Sequence, residues 1–342
     1  MCKIKLNQDF NFVVLGSPLD LYVYSFSDLD EYENAIYIKS VQEQLGKFKS
    51  LIYRIHNSKT TNKFFTIPLK HFWNPFLYKN KFTDDKPLCF ICFGYWARLM
   101  QEHGLADYLK KAYPDSKVVW YLYDLFHLEK QLYKNKPIDI FAAKSIFDLI
   151  VSFDHYDCKK YGLHYHPLVF SSFHGSILDM PHVDVYFLGK AKNRLNEIIN
   201  TYDILEGHGL VLDFYIVDAA KEQCVSRKGI HYIAGMSYDE NLQHIIHSNC
   251  VLEIMQCGGH GFTQRCVEIL GLNKKLLTNN IEIESAPFFN PAYMSYFAEP
   301  SLIDINFIEN IKDEVQIDYK SKHIISPISL LNFISSKLRE DN

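Results

Sequence analysis

Short apolar runs alternate with longer stretches at helical spacing along most of the chain. Residues 12–15 are apolar and stopped by Gly16-Ser17-Pro18, which predicts a strand and a loop. Residues 29–51 combine charge with helical spacing and predict a helix. The run 88–93 ends at Gly94 and leads into a helix over 96–112, with Leu99, Met100 and Leu109 at spaced positions. Residues 118–123 and 149–153 predict two more strands. Runs apolar on both faces suit a parallel sheet covered by helices, because both sides of such a sheet are buried.

The rhythm thins after Pro167, through Ser171-Ser172-Phe173-His174-Gly175-Ser176, and then restarts. Residues 183–188 predict a strand ending at Gly189-Lys190, residues 193–207 a helix, and 210–217 and 229–233 two strands. A helix over 238–247 has Ser237 as N-cap and Glu240 at the capping-box position. There follow a strand at 251–254, a glycine loop at 257–261, a helix at 262–272 and a strand at 275–278. Residues 284–301, rich in Pro, Phe and Tyr, read as surface loops. Residues 326–338 form a closing amphipathic helix with Ile328, Leu331, Ile334 and Leu338 in register. The fold class is α/β, with two Rossmann-like doubly wound parallel-sheet domains facing a cleft. They span 1–170 and 171–325, and 326–342 is a helix free to pack back on the first.

Length agrees, since 342 residues at roughly 150 per domain make two domains. A net charge of −4 argues against nucleic acid as a partner, because that needs a basic excess. No apolar stretch approaches the ~18 residues of a membrane span, and no signal peptide is read at Met1-Cys2-Lys3. The eight cysteines lack a disulfide spacing and read as reduced thiols of a cytoplasmic protein. Cys89-Phe90-Ile91-Cys92 lies inside a strand-like run and reads as core. His164-Tyr165-His166 and the pair His244 and His247 lack a third ligand at metal spacing, so no metal is expected. Asp28-Leu29-Asp30 reads as a solvated acidic helix start.

Chemistry concentrates at two strand ends. The segment Cys257-Gly258-Gly259-His260-Gly261-Phe262-Thr263-Gln264-Arg265-Cys266-Val267-Glu268 lies between a predicted strand and helix. Such a junction is where doubly wound sheets bind ligands, and its free N–H groups attract phosphate. On a helical wheel Arg265 lies roughly 40° from Gly261 and Glu268 about 20° to its other side. A guanidinium for a diphosphate and a carboxylate for ribose hydroxyls thus share one stripe. The alternative is a surface ion pair between Arg265 and Glu268 at i,i+3 spacing. At the other strand end, Gly189 is followed by Lys190 and Arg194 at a helix start, where cations oppose the helix dipole unless an anion binds.

These stretches resemble the C-terminal nucleotide-sugar domain of GT-B glycosyltransferases of bacterial capsular and lipopolysaccharide biosynthesis. The likeness rests on Phe187–Arg194, Leu252-Glu253-Ile254, Gly261–Leu270 and Asn273–Asn280. It implies donor contacts from Gly189, Lys190, Arg194, Gly259, His260, Gly261, Phe262, Thr263 and Arg265, with Glu268 on the ribose. It also implies that no cofactor and no metal take part. Many retaining members carry a second Glu seven residues before the ribose Glu, where this chain has Gly261. The donor sugar and stereochemistry therefore stay open. In the first half the likeness is looser and rests on Val118–Leu125, similar to a family strand ending in His-Asp-Leu, with Tyr123 in place of the His.

A transferase that inverts needs a base for the acceptor hydroxyl. Asp124, and Asp154 with His155, stand just past predicted strands and are the candidates, each with helix capping or a turn as its alternative. The expected activity is transfer of a sugar from a nucleoside-diphosphate donor to a surface polysaccharide or lipid-linked glycan. Peripheral association with the inner face of a membrane is left open. The alternatives are a GT-B-like nucleotide-sugar epimerase and an inactive nucleotide-sugar binding protein. No Gly-x-Gly-x-x-Gly is present, which disfavours a dehydrogenase.

Overall fold

The computed structural model describes residues 3–58, 67–126, 139–256, 260–313 and 315–340. The chain divides into two compact units, Met1–Ser171 with Ser326–Asn342, and Ser172–Ile325. Each holds a six-stranded sheet with helices packed against it, and every strand pair in both sheets is parallel.

In the first unit β1 (Asn11–Leu15), β2 (Ala35–Ile38), β3 (Leu88–Cys92), β4 (Lys117–Leu122), β5 (Leu149–Ser152) and β6 (His164–Tyr165) lie in the order β2-β1-β3-β4-β5-β6. β1 and β3 are buried along their whole length, as strands covered on both faces must be. Val13 is set opposite Phe90 and Val14 opposite Ile91.

The expected helix over 29–51 is corrected. A 3-10 turn (Ser27–Glu31), β2 and a helix (Val41–Asn57) occupy and extend past that stretch. Ala35-Ile36-Tyr37-Ile38 pairs with β1 in register, and the ladder outweighs local helical spacing. The helix expected at 96–112 is likewise two helices, Tyr95–Glu102 and Leu105–Ala112. Gly104, at φ +62°, takes a left-handed conformation that ends the first of them. The closing helix is Pro327–Glu340 and belongs to the first unit. It buries Leu331, Ile334 and Leu338, and Arg339 pairs with Asp9 at 2.6 Å.

In the second unit β7 (Val183–Lys190), β8 (Leu212–Val217), β9 (Ile230–Ile233), β10 (Ser248–Glu253), β11 (Lys275–Thr278) and β12 (Met294–Tyr296) lie in the order β12-β11-β10-β7-β8-β9. The chain winds outward from β7 through β8 and β9, then returns to β10 on the other side of β7. In doubly wound sheets ligands bind at the carboxyl ends of the strands where the order reverses, which here is between β7 and β10. The helix Tyr238–Ile246 starts as expected, with Ser237 Oγ accepting the Glu240 N–H at 3.2 Å. The loop reading of 284–301 is corrected by β12, a three-residue edge strand paired with β11. Among the described residues no helix is long and apolar enough to cross a membrane.

Candidate functional site

β7 is buried through Val185, Tyr186 and Phe187 and reaches Gly189 near its carboxyl end. A Cβ on Gly189 would meet Arg194 Nη2 at 2.8 Å and Phe187 Cζ at 2.8 Å. Glycine thus leaves the space in which the guanidinium crosses the strand end. Arg194 Nε donates to the Lys190 carbonyl at 3.0 Å, and Nη1 donates to the Ile254 carbonyl beyond β10. Lys192 Nζ donates to Gln256 Oε1 at 2.6 Å. Two cationic side chains therefore tie the turn after β7 to the turn after β10.

Lys190 does not open a helix, as the sequence pattern implied. It closes β7, and the helix that follows is Leu195–Gly207, with Arg194 at its cap position. Lys190 Nζ pairs with Asp218 Oδ2 at 2.8 Å, and both side chains are more than half exposed. Burial pulls the Arg194 guanidinium below its ordinary value, against the Glu253 and Glu197 carboxylates that hold it up.

At the end of β10, Glu253 is a buried carboxylate in an otherwise apolar stretch. It accepts a hydrogen bond from Thr263 Oγ1 and another from Thr278 Oγ1 at 2.6 Å. Thr263 Oγ1 in turn accepts the Arg265 N–H at 3.1 Å, capping the helix Gln264–Leu272. That helix therefore starts two residues later than expected, so Gly261 lies outside it. Gly261 has φ +75°, a conformation that favours glycine. Its N–H donates to Glu282 Oε2 at 3.0 Å, and its carbonyl accepts from Asn280 Nδ2 at 2.9 Å. His260 is exposed, with Nδ1 3.6 Å from Glu282 Oε1. Phe262 is buried edge-on against Phe288, centroids 5.0 Å apart. Gly259, with Cys257 and Gly258, lies outside the described residues.

Arg265 and Glu268 do share one face of their helix, but that face turns inward. Arg265 Nη1 donates to Glu268 Oε2 at 2.6 Å and to Asn241 Oδ1 at 3.3 Å, and Nη2 donates to the Leu188 carbonyl of β7 at 3.3 Å. The guanidinium lies 6.0 Å from the Tyr186 ring centroid. The side chains are 14% and 4% exposed, so this is a buried pair and not the surface pair weighed from the spacing. Tyr238 and Asn241 also hydrogen-bond the carboxylate. Burial pushes the Glu268 carboxyl above its ordinary value, and Arg265 pulls it back only in part.

In the first unit the acid–base candidates stand beyond the ends of two adjacent strands. Asp124 is exposed, two residues past β4. Asp154 is buried and caps the helix His155–Tyr161, its Oδ1 accepting the Asp157 N–H at 2.6 Å. His155 is exposed and stacks on Tyr165 with centroids 3.5 Å apart. Asp28 and Asp30 flank the fully buried Leu29 in a 3-10 turn. Among the described residues no three His, Cys, Asp or Glu side chains are placed to hold a metal ion.

Sequence reasoning missed the residues that fix the glycine turn: Glu253, Thr278, Asn280 and Glu282. The available signals were the likeness, whose stretches contain Glu253, Thr278 and Asn280 without giving them a role, and Glu253 itself, a charge inside the strand run 251–254, where burial demands partners.

Two six-stranded parallel sheets with flanking helices match the GT-B fold. HepE of Anabaena, solved with UDP and glucose, covers 97% of this chain and 97% of its own, at 11% identity and a TM-score of 0.52. A glycosyltransferase of Rickettsia africae covers 98% and 99% at 9% identity and 0.48. UDP-N-acetylglucosamine 2-epimerase of Rickettsia bellii covers 99% and 98% at 14% identity and 0.47. The first likeness is one of fold alone, and the other two add nothing to it. No protein-family profile and no curated protein sequence matches the chain.

Proposed function

We propose that this chain is a glycosyltransferase taking a sugar from a nucleoside-diphosphate donor to a surface polysaccharide or lipid-linked glycan acceptor. One observation carries the reading. The turns after β7 and β10, at the strand-order reversal of the second unit, are drawn together by Arg194 and Lys192 beside the glycine turn at Gly261. Reversals of this kind take phosphates, and these two turns supply cations and close backbone approach. Lys190 is free to exchange Asp218 for a diphosphate oxygen, since exposed pairs of that type are worth about 0–1 kcal/mol. His260, Phe262 and Thr263 shape the other wall.

In this reading Arg265 and Glu268 support the site rather than touch phosphate and ribose first. Their pair anchors the helix to the Leu188 carbonyl of β7. Asp124 is the proposed base for the acceptor hydroxyl, because it is an exposed carboxylate past a strand end.

The test is product analysis after incubating the protein with a panel of nucleoside-diphosphate sugars. Slow release of nucleoside diphosphate from one donor, accelerated by a glycan acceptor, is expected. Conversion of the donor sugar with its diphosphate intact would make the protein an epimerase. Binding with neither reaction would make it a binding protein.

A further inference from the structure

The helix Val41–Asn57 is interrupted at Gly46, whose φ is +65°. Of residues 47–57 only Tyr53 is buried. Phe48 is 75% exposed, Leu51 55%, Ile52 43% and Ile55 56%, and their spacing puts them on one helical face. The side of the helix next to this face is fixed. Tyr53 packs edge-on against Trp73 at 5.2 Å, Trp73 Nε1 donates to His56 Nδ1 at 2.9 Å, and Lys49 Nζ stands 4.0 Å over Phe76. Phe72 on that neighbouring turn is 62% exposed as well. Scattered exposed apolar residues are ordinary, but several on one ordered face mark an interaction surface.

Charge says what the surface fits. From Gln44 to Thr83 the chain carries eight lysine and arginine residues and no aspartate or glutamate, within a protein of net charge −4. Lys47, Lys49 and Arg54 are exposed on the same helix as the apolar face. Arg54 also lines, with Leu51, Ile55 and Tyr95, an open depression of about 530 Å³, enough room for a phosphate headgroup. A second copy of the chain would set like charge against like, which opposes self-association through this face. An apolar helical face edged by cations, on a helix whose one acid is Glu43 in the first turn, before the break at Gly46, matches the interface of an anionic bilayer.

We propose that Phe48, Leu51, Ile52 and Ile55, edged by Lys47, Lys49 and Arg54, dock the protein on a membrane rich in anionic phospholipid. The apolar side chains enter the acyl boundary while the cations stay at headgroup level. Docking of this face does not depend on the catalytic reading, and binding to vesicles is measured without donor or acceptor.

The experiment is co-sedimentation of the full chain with phosphatidylcholine vesicles, with and without phosphatidylglycerol. Binding is expected to the anionic vesicles only and to weaken as salt rises. Two variants carry the test: Leu51→Ser with Ile55→Ser, and Lys47→Glu with Lys49→Glu and Arg54→Glu. All five side chains are exposed, so both variants should keep the melting temperature of the parent. Each should lose at least about tenfold in partitioning. Equal partitioning of parent and variants, or equal binding to neutral and anionic vesicles, would overturn the proposal. So would concentration-dependent dimerisation abolished by the same substitutions, which would assign the face to a second copy.

Discussion

Arg265→Ala should destabilise the second unit by about 3–5 kcal/mol, because it strands the buried Glu268 carboxylate without its counter-charge. The ion pair at 2.6 Å is nearly closed to water, so little screening by solvent softens the loss. The substitution also removes donors to Asn241 and to the Leu188 carbonyl. Replacing both partners by apolar residues of similar volume, Arg265→Met with Glu268→Leu, should cost far less than the single change, since no charge is then left buried. The pH dependence follows from the direction of the Glu268 shift. Its folded value is raised, so its contribution to stability is fully present below the unfolded carboxyl value and is lost as pH rises through the folded one. Without Arg265 that rise grows, and the deficit of the Arg265→Ala variant should shrink as pH falls toward the carboxylate range. Urea denaturation at several pH values checks both points. A loss below about 1 kcal/mol, typical of an exposed pair, would contradict the burial argument.

Asp124→Asn should lower turnover on the order of 10²–10⁴-fold, the usual contribution of a positioned proton acceptor. Asn keeps the size and most of the hydrogen bonding but removes the basicity. Because Asp124 is exposed, the melting temperature should hardly move, and donor affinity should hold because the proposed donor site lies in the other unit. The neighbouring candidate is less suited to the role. Asp154 is buried under its own helix cap, so its replacement should act on stability, by about 0.5–2 kcal/mol for Ala. An Asp124→Asn enzyme with near-normal turnover would rule Asp124 out as the base and leave His155, exposed at the start of the same helix, as the next to test.

Strands such as β1, β3 and β4 were legible because they are apolar on two faces, a pattern that short runs such as Leu88–Cys92 display without help from context. The Ser237 cap was legible because capping is local chemistry. β2 was not, since four residues inside a charged, helix-spaced stretch become a strand only when β1 is there to pair with them. β12 is shorter still, and its register depends on β11. At the candidate site, spacing alone put Arg265 and Glu268 on one stripe. Which way that stripe faces depends on Tyr186, Asn241 and the Leu188 carbonyl, residues up to 79 positions from Arg265 whose approach no local pattern encodes. The hydrogen bonds of Glu253 to Thr263 and Thr278 were hidden for the same reason.

Calorimetric titration of the full chain with a panel of nucleoside diphosphates tests the proposed donor site most directly. One nucleotide should bind, and at 100 times its dissociation constant it should stabilise the fold by roughly 2.7 kcal/mol. Lys190→Ala, and Gly189→Ala through displacement of Arg194, should each weaken that nucleotide, the lysine effect fading as salt rises. No binding by any nucleoside diphosphate, or binding unchanged in both variants, would contradict a donor site between β7 and β10.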